Sequence, residues 1–233
     1  MMISPNYFYE ENLKGKSAKE ILTVIRSLKR KINRLKNIME HPDYEPTICP
    51  GEDVQISCNR DYLERAKQAL AEVGGVYTPS RAELKAEELK ANLPFLSKVE
   101  FGISGYFTGS EDVTYIIEGD TVTTDVKRFD YNNPPKEEPI AEEEMDKETL
   151  IDGLARLHIG EWRRKYDDSM VCDGTQWDLK LYFSNGKKPI KIYGSNLYPY
   201  NFNRLLELFD IRYFSTDDSC CMKNLSNFSV ARI

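Results

Sequence analysis

Histidine and cysteine are scarce, with two histidines and five cysteines in 233 residues. The cysteines, Cys49, Cys58, Cys172, Cys220 and Cys221, are too few and too unevenly spaced for a secreted disulfide framework, so they read as reduced thiols. His41, Cys49 and Cys58 come nearest to a metal cluster but lack the closely spaced ligand pairs of zinc sites, so no metal is expected. His158 follows Leu157 in an apolar helical pattern and reads as a core or helix-end histidine. Long hydrophobic runs are missing as well: none approaches the ~20 residues of a membrane span, and mean hydropathy is -0.56. The start, residues 1–12, is polar, so neither a membrane segment nor a signal peptide is expected, and the expected address is cytoplasmic.

Catalytic signatures are equally lacking. There is no phosphate loop, dinucleotide glycine fingerprint, His-Glu-x-x-His or glycine-flanked nucleophile serine. No cofactor and no reaction are therefore expected. Carboxylates such as Glu161, Asp167, Asp168, Asp173 and Asp178 read as solvated surface, because spacing alone does not show whether any two converge.

What is present is a charge asymmetry. The formal charge is -6, but residues 1–39 carry nine Lys or Arg against three Glu, leaving the rest at -12. A basic arm on an acidic body can dock on that body, bind nucleic acid, or meet an acidic partner. Within the arm, Ser17 and Glu20 form a capping box that starts a helix. Ile21, Ile25, Leu28, Ile32, Leu35 and Met39 then recur at helical spacing, and Pro42 ends the pattern. The stripe suits a short parallel coiled coil or other partner contact, and equally an intramolecular helical hairpin. Arg26, Lys29, Arg30, Lys31, Arg34 and Lys36 occupy the opposite face with no acid between Ile21 and Met39, a pattern attractive to phosphates or simply a solvated face. A second helix is expected from Asn59, with Leu63, Ala66, Leu70 and Val73 inward and Gly74-Gly75 as its stop. A third is expected from Ser80, with Ala82, Ala86, Leu89 and Leu93 inward, closed by Pro94.

From Val99 the period becomes two, through Phe101, Ile103 and Phe107. A hairpin across Gly119 pairs Ile117 with Val122, Tyr115 with Thr124 and Val113 with Val126, all on one face. An acidic, proline-bearing linker follows, then a helix with Leu150, Leu154 and Leu157 inward. Trp162, Arg164 and Tyr166 suggest a short strand, and Asn185-Gly186 a second hairpin. That hairpin pairs Leu181 with Ile190, Leu179 with Ile192 and Trp177 with Gly194 across a four-residue loop, with Pro189 marking an edge strand. A last helix carries Phe202, Leu205, Leu206 and Phe209, with Pro199 near its first turn. The order strand, strand, strand, helix thus occurs twice.

The expected fold is α+β: an N-terminal helical hairpin or three-helix region over 1–94, then an antiparallel sheet domain with two helices. Its parts are a three-stranded meander (95–130), the linker (131–148), and a helix, hairpin and helix (149–211) packing with the meander; 212–233 form a tail. The run Asp173-Gly174-Thr175-Gln176-Trp177-x-Leu179, with Ser184-Asn185-Gly186 and Gly194-Ser195-Asn196-x-Tyr198-Pro199-x-Asn201-Phe202, resembles a module of uncharacterised proteins of Firmicutes and related gut bacteria. That resemblance implies no activity. Trp177, Gly194, Asn196 and Pro199 read as scaffold, while Ser195, Asn196 and Tyr198 form a candidate ligand loop at a strand-to-helix turn. The sequence therefore points to a non-catalytic interaction or regulatory protein of bacterial or phage type. It would act by self-association or partner contact through the Ile21 to Met39 stripe, with the acidic sheet domain presenting the specific surface, and occupation of the basic groove of a nucleic-acid enzyme as an inhibitor is one form. The alternative is a nucleic-acid-binding accessory protein using the Arg26 to Lys36 face.

Overall fold

The computed structural model describes residues 3–46, 49–105, 109–129, 145–168 and 174–211. The chain forms two compact units, Met1–Ser80 and Arg81–Ile233. Phe107, Cys172, Asp173, Cys220, Cys221, most of the expected linker and the expected tail lie outside the described residues. Among the described residues no helix is long and apolar enough to cross a membrane.

The first unit is helical. α1 (Pro5–Asn12), absent from the sequence reading, starts where the Ser4 hydroxyl accepts from the Tyr7 N–H at 3.2 Å and proline takes the first turn. α2 (Ala18–Met39) begins with the expected capping box, the Ser17 N–H donating to Glu20 Oε2 at 2.9 Å. α3 (Glu52–Glu72) packs against both. It starts a full seven residues before the expected Asn59, because two of its inward positions are polar. Glu52 and Asn59 are both buried, and they break the hydrophobic period that locates a helix start. Its end matches expectation: Gly74 is left-handed at φ 74°, its N–H bonding Ala71 O at 2.9 Å, while the Gly75 N–H bonds Leu70 O at 2.8 Å. Val73 is half exposed rather than part of the inward stripe.

The α2 stripe is core. Ile21 and Ile25 are 1% exposed, and Leu28, Ile32 and Leu35 no more than 8%, all within this unit. Met39 is half-buried. The intramolecular hairpin therefore accounts for the stripe, which leaves it no free surface for a coiled coil or a protein partner. α1 closes one end, with Phe8 stacked on Tyr62 at 4.4 Å between centroids and the Tyr62 hydroxyl donating to Ile3 O at 2.6 Å.

The second unit is α+β. α4 (Arg81–Asn92), grouped by the sequence with the N-terminal helices, clusters here instead. Ala82 is exposed, while Ala86 sits so close to Gly160 that a side chain on the glycine would collide with it. A 3-10 turn (Leu93–Phe95) leads into β1 (Leu96–Gly105), β2 (Gly109–Glu118) and β3 (Thr121–Phe129). α5 (Lys147–Arg156) starts at an Asp146 cap, whose carboxylate accepts from the Thr149 N–H at 2.8 Å, and exposed His158 follows it in the left-handed region. β4 (Lys165–Asp167), β5 (Thr175–Phe183), β6 (Ile190–Ser195) and α6 (Phe202–Leu208) complete the unit.

These strands form one six-stranded sheet in the order β3-β2-β1-β5-β6-β4. Both expected hairpin registers occur, Ile117 with Val122 and Leu181 with Ile190 among their pairs. The second loop is longer than expected, spanning 184–189 and leaving Pro189 outside the ladder, where it needs no N–H to give. Nor is β6 an edge: β4, shorter than expected, pairs with it in parallel, Tyr166 beside Gly194. The repeated strand-strand-strand-helix order is real, but the halves differ in pairing. The first is a meander, whereas the second returns β4 to the outside of β6.

One sheet face is apolar, with Val99, Phe101, Ile103, Val113, Tyr115, Leu179 and Leu181 no more than 3% exposed. α6 lies on it, Phe209 being 5.5 Å from Phe101 and 5.3 Å from Tyr115, and Phe202 4.7 Å from Trp177. Glu111 interrupts this face as a buried carboxylate, held by the Arg128 Nε–H at 2.6 Å.

Replacing Ile25 by alanine is expected to cost about 2–5 kcal/mol of stability in urea unfolding followed by circular dichroism. A partner-facing Ile25 would give a cost near zero and a change in oligomeric state instead.

Candidate functional site

Because the α2 stripe turns inward, the residues between its members turn outward. Arg26, Arg30, Lys31 and Arg34 are exposed; Lys29 and Lys36 are half-buried on the flanks. The Lys29 ammonium donates to the Tyr77 hydroxyl at 3.0 Å, and it shares the Tyr77 ring with Lys67, at 5.6 and 5.2 Å from the centroid. Arg26, Arg30 and Arg34 stand four residues apart, about 6 Å along the axis at each step. The Arg30 Nε–H donates to Arg26 O at 3.3 Å, and none of the four exposed cations pairs with a carboxylate among the described residues. Like charges at this spacing oppose the helix by a few tenths of a kcal/mol per pair. The result is a positive ridge whose exposed cations have no ion-pair partner among the described residues.

At its C-terminal end the ridge borders an open groove of about 600 Å³. Arg30, Asn33, Arg34 and Asn37 line its helix side, and His41, Asp43, Tyr44 and Glu45 line its loop side. The loop is held in place: the Tyr44 N–H donates to His41 O at 3.0 Å, and the Tyr44 hydroxyl donates to Glu52 Oε2 at 2.8 Å. Burial, together with that bond to Glu52, pushes the Tyr44 phenol well above its ordinary range, so it stays a neutral donor. The sequence reading missed this pair. Gly51 followed by two acids was the available signal for an earlier helix start, and it would have placed Glu52 in the first turn.

The structure places Ser195 at the end of β6 and Asn196 and Tyr198 in the loop after it, all half-buried, with scaffold contacts at Asn196 and Tyr198. Asn196 adopts φ 57° and its N–H donates to Thr175 O at 2.9 Å, and a side chain on Gly174 would collide with its amide. A side chain on Gly194 would collide with the Trp177 indole, whose Nε1–H donates to Leu197 O at 3.0 Å. Trp162 Nε1–H donates to Asn201 Oδ1 at 3.0 Å, while Asn201 Nδ2–H donates to Leu157 O at 2.8 Å. Tyr198 rests on Phe202 at 4.9 Å. Pro199 precedes α6 by three residues, and its carbonyl accepts from the Phe202 N–H at 3.0 Å.

The sheet face opposite α6 carries charge. Lys180 Nζ is 2.7 Å from Asp178 Oδ2, Lys98 Nζ is 2.6 Å from Glu100 Oε1, and the Tyr182 hydroxyl donates to Glu100 Oε2 at 2.9 Å. The Lys98 ammonium holds the Glu100 carboxyl below its usual range. Asp112 and Asp178 flank Gly102 across three strands. Partial burial pushes the Asp112 carboxyl up, and the Asp178 carboxylate adds to it against Lys127 and Lys180. Asp167 pairs with Lys165 at 2.9 Å. Among the described residues no three His, Cys, Asp or Glu gather to hold a metal.

Two outcomes follow from these contacts. Gly194→Ala is expected to cost about 1–3 kcal/mol in thermal or urea unfolding, since the indole must leave its place. For Asp112 the folded carboxyl holds its proton to higher pH than the unfolded one, so it costs stability as pH rises through and above the unfolded value of about 3.9. Asp112→Asn should therefore raise the urea midpoint at pH 7, by an amount that shrinks as the pH is lowered toward about 4.

Comparison of the chain with protein-family models, with curated proteins and with solved structures finds no match in any of the three.

Proposed function

We propose that the chain is a non-catalytic binding protein that holds nucleic acid on the outward face of α2. The observation that carries this reading is the exposed row Arg26, Arg30, Lys31 and Arg34, free of carboxylate partners among the described residues, on a helix whose apolar side is occupied by its own unit. A cationic row of this kind gains affinity by releasing the counterions condensed on a phosphate backbone, which requires no sequence-specific contact. Its backing helps, because the helix that carries the cations is already folded rather than ordered on binding. The self-association reading rested on the stripe that the unit's own core occupies, the sheet-surface reading on a face whose carboxylates Glu100, Asp167 and Asp178 pair with lysines, and the loop reading on residues of which the scaffold engages the Asn196 N–H and the Tyr198 ring; none gains support comparable to the ridge.

The test is titration of a fluorescein-labelled oligonucleotide by fluorescence anisotropy at about 50 mM salt. Wild-type protein is expected to bind, and a variant with Arg26, Arg30, Lys31 and Arg34 all changed to glutamine to bind at least about tenfold more weakly. These side chains are exposed, so the variant should retain its circular dichroism and melting temperature. Equal binding by both proteins, or none by the wild type, would refute the reading.

A further inference from the structure

We infer that the nucleic acid is bound as a single strand, with a base turned out of the stack into the groove at the C-terminal end of α2. This rests on the nucleic-acid reading of the same helix. The ridge runs directly into the groove: Arg30 and Arg34 belong to both, so a backbone following the ridge brings its phosphates to the groove mouth. Inside, the chemistry changes from cationic to amphipathic. Ile38, 40% exposed, lines the groove as an apolar surface, while His41 and Tyr44 add rings from the loop wall. Flat apolar and aromatic surfaces beside cations are what an unstacked base finds favourable, whatever its identity.

Three further features favour a base over a phosphate as the occupant. The open groove of about 600 Å³ has room for a base laid against its wall. Asp43 and Glu45 stand on the loop wall, where they repel phosphate toward Arg30 and Arg34 and offer acceptors to base N–H groups. Tyr44 is fixed before any ligand arrives, because its hydroxyl is tied to buried Glu52. A duplex keeps its bases paired and stacked, and cannot offer one to this groove without paying the unstacking energy.

Three probes of equal length, about twelve nucleotides, separate the possibilities: a mixed-sequence single strand, its duplex, and an abasic single strand with the same number of phosphates. The single strand is expected to bind wild-type protein about fivefold or more tighter than either of the others. Tyr44→Leu and Ile38→Asp should narrow that difference, and Tyr44→Phe, which keeps the ring but loses the bond to Glu52, should narrow it less than Tyr44→Leu. Because Tyr44→Leu leaves Glu52 without its hydroxyl partner and can unfold the loop, the abasic comparison on wild-type protein stands as the deciding measurement. Equal affinity for all three probes, still lost when the four ridge cations are changed to glutamine, would overturn the groove inference while leaving the nucleic-acid reading intact. Failure of every probe to bind would overturn both.

Discussion

A helix with apolar residues at every third or fourth position cannot leave them in water, and in α2 that requirement decides the rest of the first unit. Ile21, Ile25, Leu28, Ile32 and Leu35 are buried in one line, and α3 is the surface that receives them. Full burial of each such side chain is worth about 1.5–3 kcal/mol, far more than the few tenths lost to each like-charge pair on the opposite face. The inward stripe therefore holds Arg26, Arg30, Lys31 and Arg34 outward even though they repel one another. The same helix end that presents Arg34 also frames the groove, because the chain turns back through His41 to Tyr44 and is tied there to Glu52 at the start of α3. Core and ridge thus follow from one amphipathic pattern, and the groove from that pattern together with the Tyr44–Glu52 bond.

The second unit rests on a different contact, the seating of Trp177 on the bare backbone of Gly194. The cross-strand pair puts the two residues opposite each other, and the indole fills the space a side chain would need. From there the Trp177 Nε1–H reaches Leu197 and fixes the turn that leads into α6, while Trp162 and Asn201 tie that turn back to the end of α5. Polar residues gathered at a strand-to-helix turn look like a ligand site in a sequence. Here the Asn196 N–H, the Asn201 amide and the Tyr198 ring are engaged by the scaffold, and a site must be argued from what the scaffold leaves over.

Much of this was legible in the sequence where a single physical period dominates. The capping box at Ser17, the alternation in β1 and β5, and both hairpin registers depend on local spacing alone, and the structure reproduces them. Periodicity hid the start of α3, because buried Glu52 and Asn59 occupy inward positions that it assigns to apolar side chains, and only Gly51 with its two following acids marked it. The parallel pairing of β4 with β6 was hidden because it joins residues with no turn between them to set the register. In the candidate site, the cations were visible as a row, and whether they or the stripe faced outward was settled only by the packing of α3. The groove needed the tertiary bond from Tyr44 to Glu52, which no spacing rule announces.

The central claim is that the outward cations of α2 meet a phosphate backbone, and the salt dependence of affinity reads that contact most directly. Binding of a labelled single strand, followed from about 50 to 200 mM salt, should weaken linearly on logarithmic axes. At about 0.7 per neutralised phosphate, four engaged cations predict a slope between about -2 and -3. A slope near zero would contradict the account, since it would mean that whatever is bound is not held by this ridge.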